Sequence, residues 1–168
     1  MATILKSTER EFQEDKNKID NFRLLSDVSR VKKGIKSQNL NFDLRQLNPG
    51  QFSAPYHFHH NAEELFMVVS GSMTLRTTGG LEIVYSGDLI FFEMGETGAH
   101  QFYNHSDQPC IYLDVRTFNG CDVCEYPDSN KTLIFPSRTI ISNEVKLNYF
   151  DGEENPKEKW ERIENKNE

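Results

Sequence analysis

Basic residues are in short supply in this chain. Its 19 lysines and arginines face 26 aspartates and glutamates, a formal net charge of −7. Nucleic acids and anionic membrane surfaces are bound through basic patches, so neither is an expected partner. The acidic surplus reads as a solvated surface that aids solubility. Long apolar runs are also missing. The longest, Leu65 to Val69, falls far below the ~20 residues that span a bilayer. Met1-Ala2-Thr3-Ile4-Leu5-Lys6 runs straight into charge, with no apolar core or cleavage site of a secretory signal. Three cysteines, Cys110, Cys121 and Cys124, make no disulfide framework. These absences together lead to the expectation of a cytoplasmic protein. No repeat or low-complexity segment is present, and 168 residues suffice for one domain with a core but not for two ordinary ones.

What the chain does contain is a series of short strands punctuated by turns. Residues 1–34 are polar; Thr8-Glu9-Arg10-Glu11 has capping-box spacing and predicts a short helix, the whole segment reading as an N-terminal arm. From 35 to 150 the pattern is β. A stretch carrying Phe42, Leu44 and Leu47 ends at the turn Asn48-Pro49-Gly50. Strands are then expected over Phe52–His59, Glu64–Val69, Met73–Thr77, Leu81–Tyr85, Leu89–Phe92, His100–Asn104 and Cys110–Phe118, with Thr78-Gly79-Gly80 closing a hairpin. Val145, Leu147 and Tyr149 alternate as a strand would, and Ile140-Ile141 can pair nearby. Residues 151–168 form a charged tail in which Lys157–Ile163, carrying Trp160, could make a helical turn or two. Evenly spaced short strands without helical periodicity indicate an all-β sandwich or barrel, whose interior can hold one small ligand.

The most informative stretch is His57-Phe58-His59-His60-Asn61-Ala62-Glu63-Glu64. On an extended strand His57 and His59 point to one face. Glu64 shares a face with Phe66 and Val68, and His100 with Phe102 and Asn104. Imidazoles and a carboxylate converging from neighbouring strands suit a divalent transition ion. His60, Glu63 and His105 have the wrong strand parity and are expected to face away. Asn104 ends its strand, where a turn role fits better than a ligand role.

The full spacing is Gly50-x6-His57-x-His59-x4-Glu64-x6-Gly71, followed by Gly87-x12-His100-x3-Asn104. It resembles the two motifs of the cupin superfamily, over about residues 40–117, and the chain is similar to small single-domain, conserved-barrel cupins. The resemblance implies a double-stranded β-helix, or jelly-roll barrel, and a ligand set of His57, His59, Glu64 and His100 around one divalent ion (Fe, Mn, Ni, Cu or Zn). Two departures concern loop shape: one extra residue precedes His57, and Glu93 replaces a common proline ahead of a long Gly95–Ala99 link.

Phe66 and Phe102 share parity with ligands and are candidate pocket residues, as is Tyr112. The register around Tyr112 has two readings. Either Tyr112, Asp114 and Arg116 face inward, or Ile111, Leu113 and Val115 do, and apolarity favours the second. Cys121-x-x-Cys124 is a rival zinc spacing without its second pair; Cys110 reads as a small buried hydrophobe. The resemblance implies a metal-dependent enzyme of dioxygenase or isomerase type acting on a small molecule, the ion serving as Lewis acid or oxygen-binding centre. The alternative is a non-catalytic binder of a sugar or small acid. A homodimer is expected by analogy, with edge strands covered by the partner.

Overall fold

The computed structural model describes residues 2–14, 19–147, 149–151 and 156. The charged tail, including the stretch around Trp160, lies almost wholly outside them. Among the described residues thirteen strands dominate: β1 (Phe12–Glu14), β2 (Leu25–Asp27), β3 (Leu40–Leu47), β4 (Phe58–His59), β5 (Glu64–Ser70), β6 (Ser72–Thr77), β7 (Gly80–Tyr85), β8 (Leu89–Phe92), β9 (His100–Tyr103), β10 (Cys110–Thr117), β11 (Asp122–Tyr126), β12 (Lys131–Phe135) and β13 (Thr139–Ser142). One six-stranded sheet runs β1-β2-β3-β10-β5-β8. Opposite it lie β13-β12-β11-β4 and β7-β6-β9, joined by single bridges at His57↔His100 and Phe52↔Tyr103. Every pairing is antiparallel. The all-β architecture expected from the strand pattern, in the jelly-roll form the resemblance implies, is the one observed.

Both layers contribute to one core. Leu47, Phe66, Val68, Phe92, Cys110 and Tyr112 come from the six-stranded sheet, and Met73, Leu75, Val84 and Phe102 from the facing strands. The hairpin expected at Thr78-Gly79-Gly80 is present, with Thr77 paired to Gly80. Gly71 turns the chain at φ 81, and a Cβ there would sit 2.9 Å from the Pro109 carbonyl oxygen, so glycine suits that turn on two counts.

Four expectations are corrected. The capping box does not start a helix: Ser7–Glu9 make a single 3-10 turn and β1 follows. The Glu11 N–H donates to the Asp27 carboxylate, which draws the segment into a β pairing, so the arm extends the barrel sheet through β2 and β3. The strand over Phe52–His59 shrinks to Phe58–His59, the rest running as bends. Val145, Leu147 and Tyr149 form no strand and are exposed; Ile140 and Ile141 do lie on β13.

The fourth correction concerns β10. Cys110 and Tyr112 are buried in the core, so their alternates Asp114 and Arg116 also face inward and Leu113 and Val115 face out. Register confirms this, with Tyr112 opposite Arg45, Asp114 opposite Asp43 and Arg116 opposite Glu64. The polar residues are accommodated because Arg45 pairs with Asp114 and Asp43 at 3.3 Å each. The apolar alternates build a face on the outside of the same sheet, Leu113 beside Leu44 and Met67, and Leu65 beside Phe91.

Candidate metal centre

Three elements bring the four expected ligands together. His57 and His59 come from the end of the irregular segment and β4, Glu64 opens β5 in the opposite layer, and His100 opens β9. Mutual backbone bonds between His57 and His100 (2.9 and 3.2 Å) tie two of these elements side by side. The ring centroids of His57 lie 5.2 Å from those of His59 and 4.8 Å from His100. Glu64 reaches between them, with Oε1 3.6 Å from His59 Nε2 and Oε2 3.3 Å from His100 Nε2. Ligand atoms of His57, Glu64 and His100 all lie within 4.8 Å of one another. The long Gly95–Ala99 link forms a 3-10 turn, Glu96–Gly98, that delivers His100.

Each imidazole is oriented by its other nitrogen. His57 Nδ1 donates to the Pro55 carbonyl and His100 Nδ1 to the Gly98 carbonyl, both at 2.9 Å. His59 Nδ1 meets the Asp122 carboxylate at 2.5 Å. Carbonyls only accept, so the Nδ1–H tautomer is fixed and the Nε2 lone pair is left for a ligand.

Burial sets the charges. It lowers His57 well below its ordinary value, helped by the neighbouring His100 and His59. It brings His100 down to about 4 and raises Glu64 to about 7, the Glu64 shift only partly offset by His59 and Arg116. Glu64 Oε2 is buried and, among the described residues, has no hydrogen-bond partner. An unpartnered buried carboxylate oxygen is costly. A cation among neutral imidazoles is the group that would satisfy it, so these side chains fit a divalent ion.

The residues expected to face away do so. His60 pairs with Glu125 at 2.7 Å and His105 with Thr74 at 2.8 Å, both at the surface, and Glu63 is exposed. Asn104 is fully buried and closes a turn: its amide donates to Leu47 and Gln108 carbonyls, while its oxygen accepts from Ser106. Phe66 and Tyr112 line the cavity of about 130 Å³ above the histidines. Phe102 does not; it is fully buried behind them, its ring 5.5 Å from Phe66 and 5.6 Å from Tyr112. The Cys121–Cys124 pair is split, Cys121 exposed and Cys124 buried. Cys124 instead sits within 4.8 Å of His57 and His59 ligand atoms. Burial pushes its thiol up to about 12, so it forms neutral wall.

Sequence reasoning missed Asp122. Its carboxylate also accepts the Asn61 N–H at 2.9 Å; burial alone would raise it, but the His59 and Asn61 bonds hold it below the usual range. Asp122→Ala is expected to weaken metal binding about 10–100-fold, read by competition against a chelating indicator. Unchanged affinity would mean that His59 is oriented by something else.

A family model described as a cupin domain matches residues 44–116. This is a small cupin-domain protein. Among solved structures, the cupin is similar to a putative sugar phosphate isomerase from Acidithiobacillus ferrooxidans, at 21% identity over 86% of this chain and 96% of that one, TM-score 0.73. It is also similar to a sugar phosphate isomerase of the cupin superfamily from Silicibacter pomeroyi, at 22% identity over 88% and 98%, TM-score 0.73. A polyketide cyclase from Streptomyces resistomycificus follows at 23% identity over 70% and 80%, TM-score 0.55. At these identities the likeness shows the fold. No curated protein matches the chain. Among the described residues no helix is long and apolar enough to cross a membrane.

Proposed function

We propose that this cupin is a metal-dependent enzyme acting on a small organic molecule, with His57, His59, Glu64 and His100 holding one divalent transition ion. The observation that carries the reading is the set of three imidazoles, each with Nδ1 engaged, around a buried carboxylate oxygen that lacks a partner. A bound ion would supply Lewis-acid polarisation of a substrate carbonyl or enolate, or a centre for dioxygen. The protein's own groups favour isomerase-type chemistry. Burial holds the Tyr112 phenol protonated, well above its ordinary value, so it can donate a hydrogen bond to a substrate oxygen but is a poor base. Burial also raises Asp114, which places a proton acceptor of moderate strength on the same wall. The names of the two sugar phosphate isomerase structures support the same reading.

The test is elemental analysis of protein purified without chelators or a histidine tag, beside a His57→Ala/His59→Ala control. About one equivalent of metal is expected in wild type and none in the control. Wild type that takes up no metal after reconstitution would leave a non-catalytic binding barrel.

The apolar outer face suggests a homodimer. Leu65, Leu89 and Phe91 are 42%, 67% and 59% exposed, and β8 is the edge strand of its sheet. Such faces are seldom left uncovered. Phe91→Glu is expected to halve the mass measured by light scattering after gel filtration; a wild type already monomeric at high concentration would refute the pairing.

A further inference from the structure

A second cavity, of about 350 Å³, adjoins the one above the histidines, and the two share Arg45, Asp114 and Arg116 as a common wall. Asn41, Asp43, Phe135 and Arg138 also line it. Its charges do not balance internally. Asp43 is taken by Arg30 at 3.1 Å and by Arg45 at 3.3 Å, and Asp114 by Arg45 at 3.3 Å. Among the described residues no carboxylate lies within ion-pair distance of Arg116 or Arg138. In a chain of net charge −7, a cavity lined by three arginines and two aspartates, with the aspartates ion-paired to Arg45 and Arg30 and not to Arg116 or Arg138, stands out.

Their placement adds to this. Arg116 is half-buried on the inner face of β10, its guanidinium 5.7 Å from the Phe135 ring centroid. Its polar contact is Nη1 to His59 Nε2, at 3.5 Å. That lone pair is the one a metal would take, and it can serve only one partner. With an ion on His59, the Arg116 donors would be released from that contact. Arg138 stands at the mouth, exposed, in the β12–β13 hairpin with φ 57, a left-handed conformation uncommon for arginine. Arg116 feels Glu64, Asp114 and Asp122 only at a distance; a half-buried guanidinium with no ion-paired carboxylate is costly, and the planar fork of arginine suits a compact oxyanion.

We infer that this cavity is a subsite for an oxyanion, a phosphate or carboxylate carried by the substrate, held by Arg116 at the wall and Arg138 at the mouth while the rest of the molecule reaches the histidine pocket. The assignment of the anion to a substrate rests on the metal-enzyme reading; the anion site itself does not.

The experiment is calorimetric titration of metal-free wild type, dialysed free of chelator, with inorganic phosphate and, separately, acetate. Saturable binding at one site is expected, weakened about tenfold or more in Arg116→Gln and in Arg138→Gln, and unchanged in the surface control Lys146→Gln. Far-UV circular dichroism and melting curves establish that each variant is folded, and Arg116→Lys, which keeps the charge but loses the fork, should fall between. Tighter phosphate binding assigns a phosphate ester, tighter acetate binding a carboxylate. The titrated protein carries no metal, so loss of the metal reading would leave this result standing. The inference is overturned if wild type binds neither anion saturably, or if both arginine-to-glutamine variants bind as wild type does. It is likewise overturned if binding disappears after a second round of chelator treatment and dialysis, which would trace the anion to residual metal.

Discussion

Relative to Glu64→Gln, metal-free wild-type protein is expected to lose about 1 kcal/mol of stability between about pH 6.5 and pH 8.5. The cause is the burial that raises Glu64 from 4.5 to about 7. A carboxyl whose folded value is raised binds its proton more tightly in the folded state, so its contribution is fully present below the unfolded value. It is lost as pH rises through the folded one, a total of about 3 kcal/mol for a shift of this size. His100 acts with the opposite sign. Its folded value is lowered from 6.5 to about 4, so it withdraws stability as pH falls below about 6.5 and masks the Glu64 effect there. His57, also lowered by burial, acts in the same direction as His100, and comparison of wild type with Glu64→Gln at each pH cancels both histidine contributions and leaves the Glu64 slope. Urea denaturation at the two pH values reads it directly. The same substitution removes the sole anionic ligand of the proposed quartet, and metal affinity should fall about 100-fold or more. With metal bound the carboxylate would stay ionised, and the Glu64 contribution to the slope should vanish from wild type. A difference between metal-free wild type and Glu64→Gln that does not change with pH would show that Glu64 is solvated or paired when the ion is gone.

The convergence of His57, His59, Glu64 and His100 was legible in the sequence because strand parity and spacing both report on it. His57 and His59 two apart, and Glu64 opening an apolar run, carry their geometry in local order, and His60, Glu63 and His105 could be set aside by the same rule. What was not legible depends on contacts distant in the chain. Asp122 reaches His59 across 63 positions, and nothing near Asp122 marks it. The register of β10 misled for a related reason. Ile111, Leu113 and Val115 do form an apolar face, but hydropathy reports that a face is covered and not by what. Here the inner face is polar because Arg45 and Asp43 on β3 compensate it, and the apolar one faces outward. The N-terminal capping box failed because Asp27, sixteen residues on, captures the Glu11 N–H. In each case a tertiary partner overrode a local signal.

Gly98→Ala should be the most damaging single methyl group added near the site. A Cβ at this position would lie 1.9 Å from the Glu93 carbonyl oxygen and 3.0 Å from its carbon. Both atoms are backbone, so no rotamer change relieves the overlap, and either the 3-10 turn or the end of β8 must move. That turn is held by Gly98 N–H to Gly95 and Ala99 N–H to Glu96, each at 3.0 Å, and is anchored to β4 by Gly95 N–H to the His59 carbonyl at 2.8 Å. The Gly98 carbonyl also fixes the His100 tautomer. Overpacking of this kind costs about 3 kcal/mol, roughly 6–12 °C in Tm, and displacement of His100 should lower metal affinity in parallel. Gly79→Ala, where the nearest atom to a Cβ is the Thr77 hydroxyl at 3.5 Å, is the control and should stay within about 0.5 kcal/mol of wild type. If Gly98→Ala melts with Gly79→Ala, the approach of the turn to Glu93 is not a constraint on the fold. If it melts early yet binds metal as wild type does, His100 is positioned by its bridge to His57 and its stacking on Phe92, 3.7 Å between centroids, and the turn serves the barrel rather than the site.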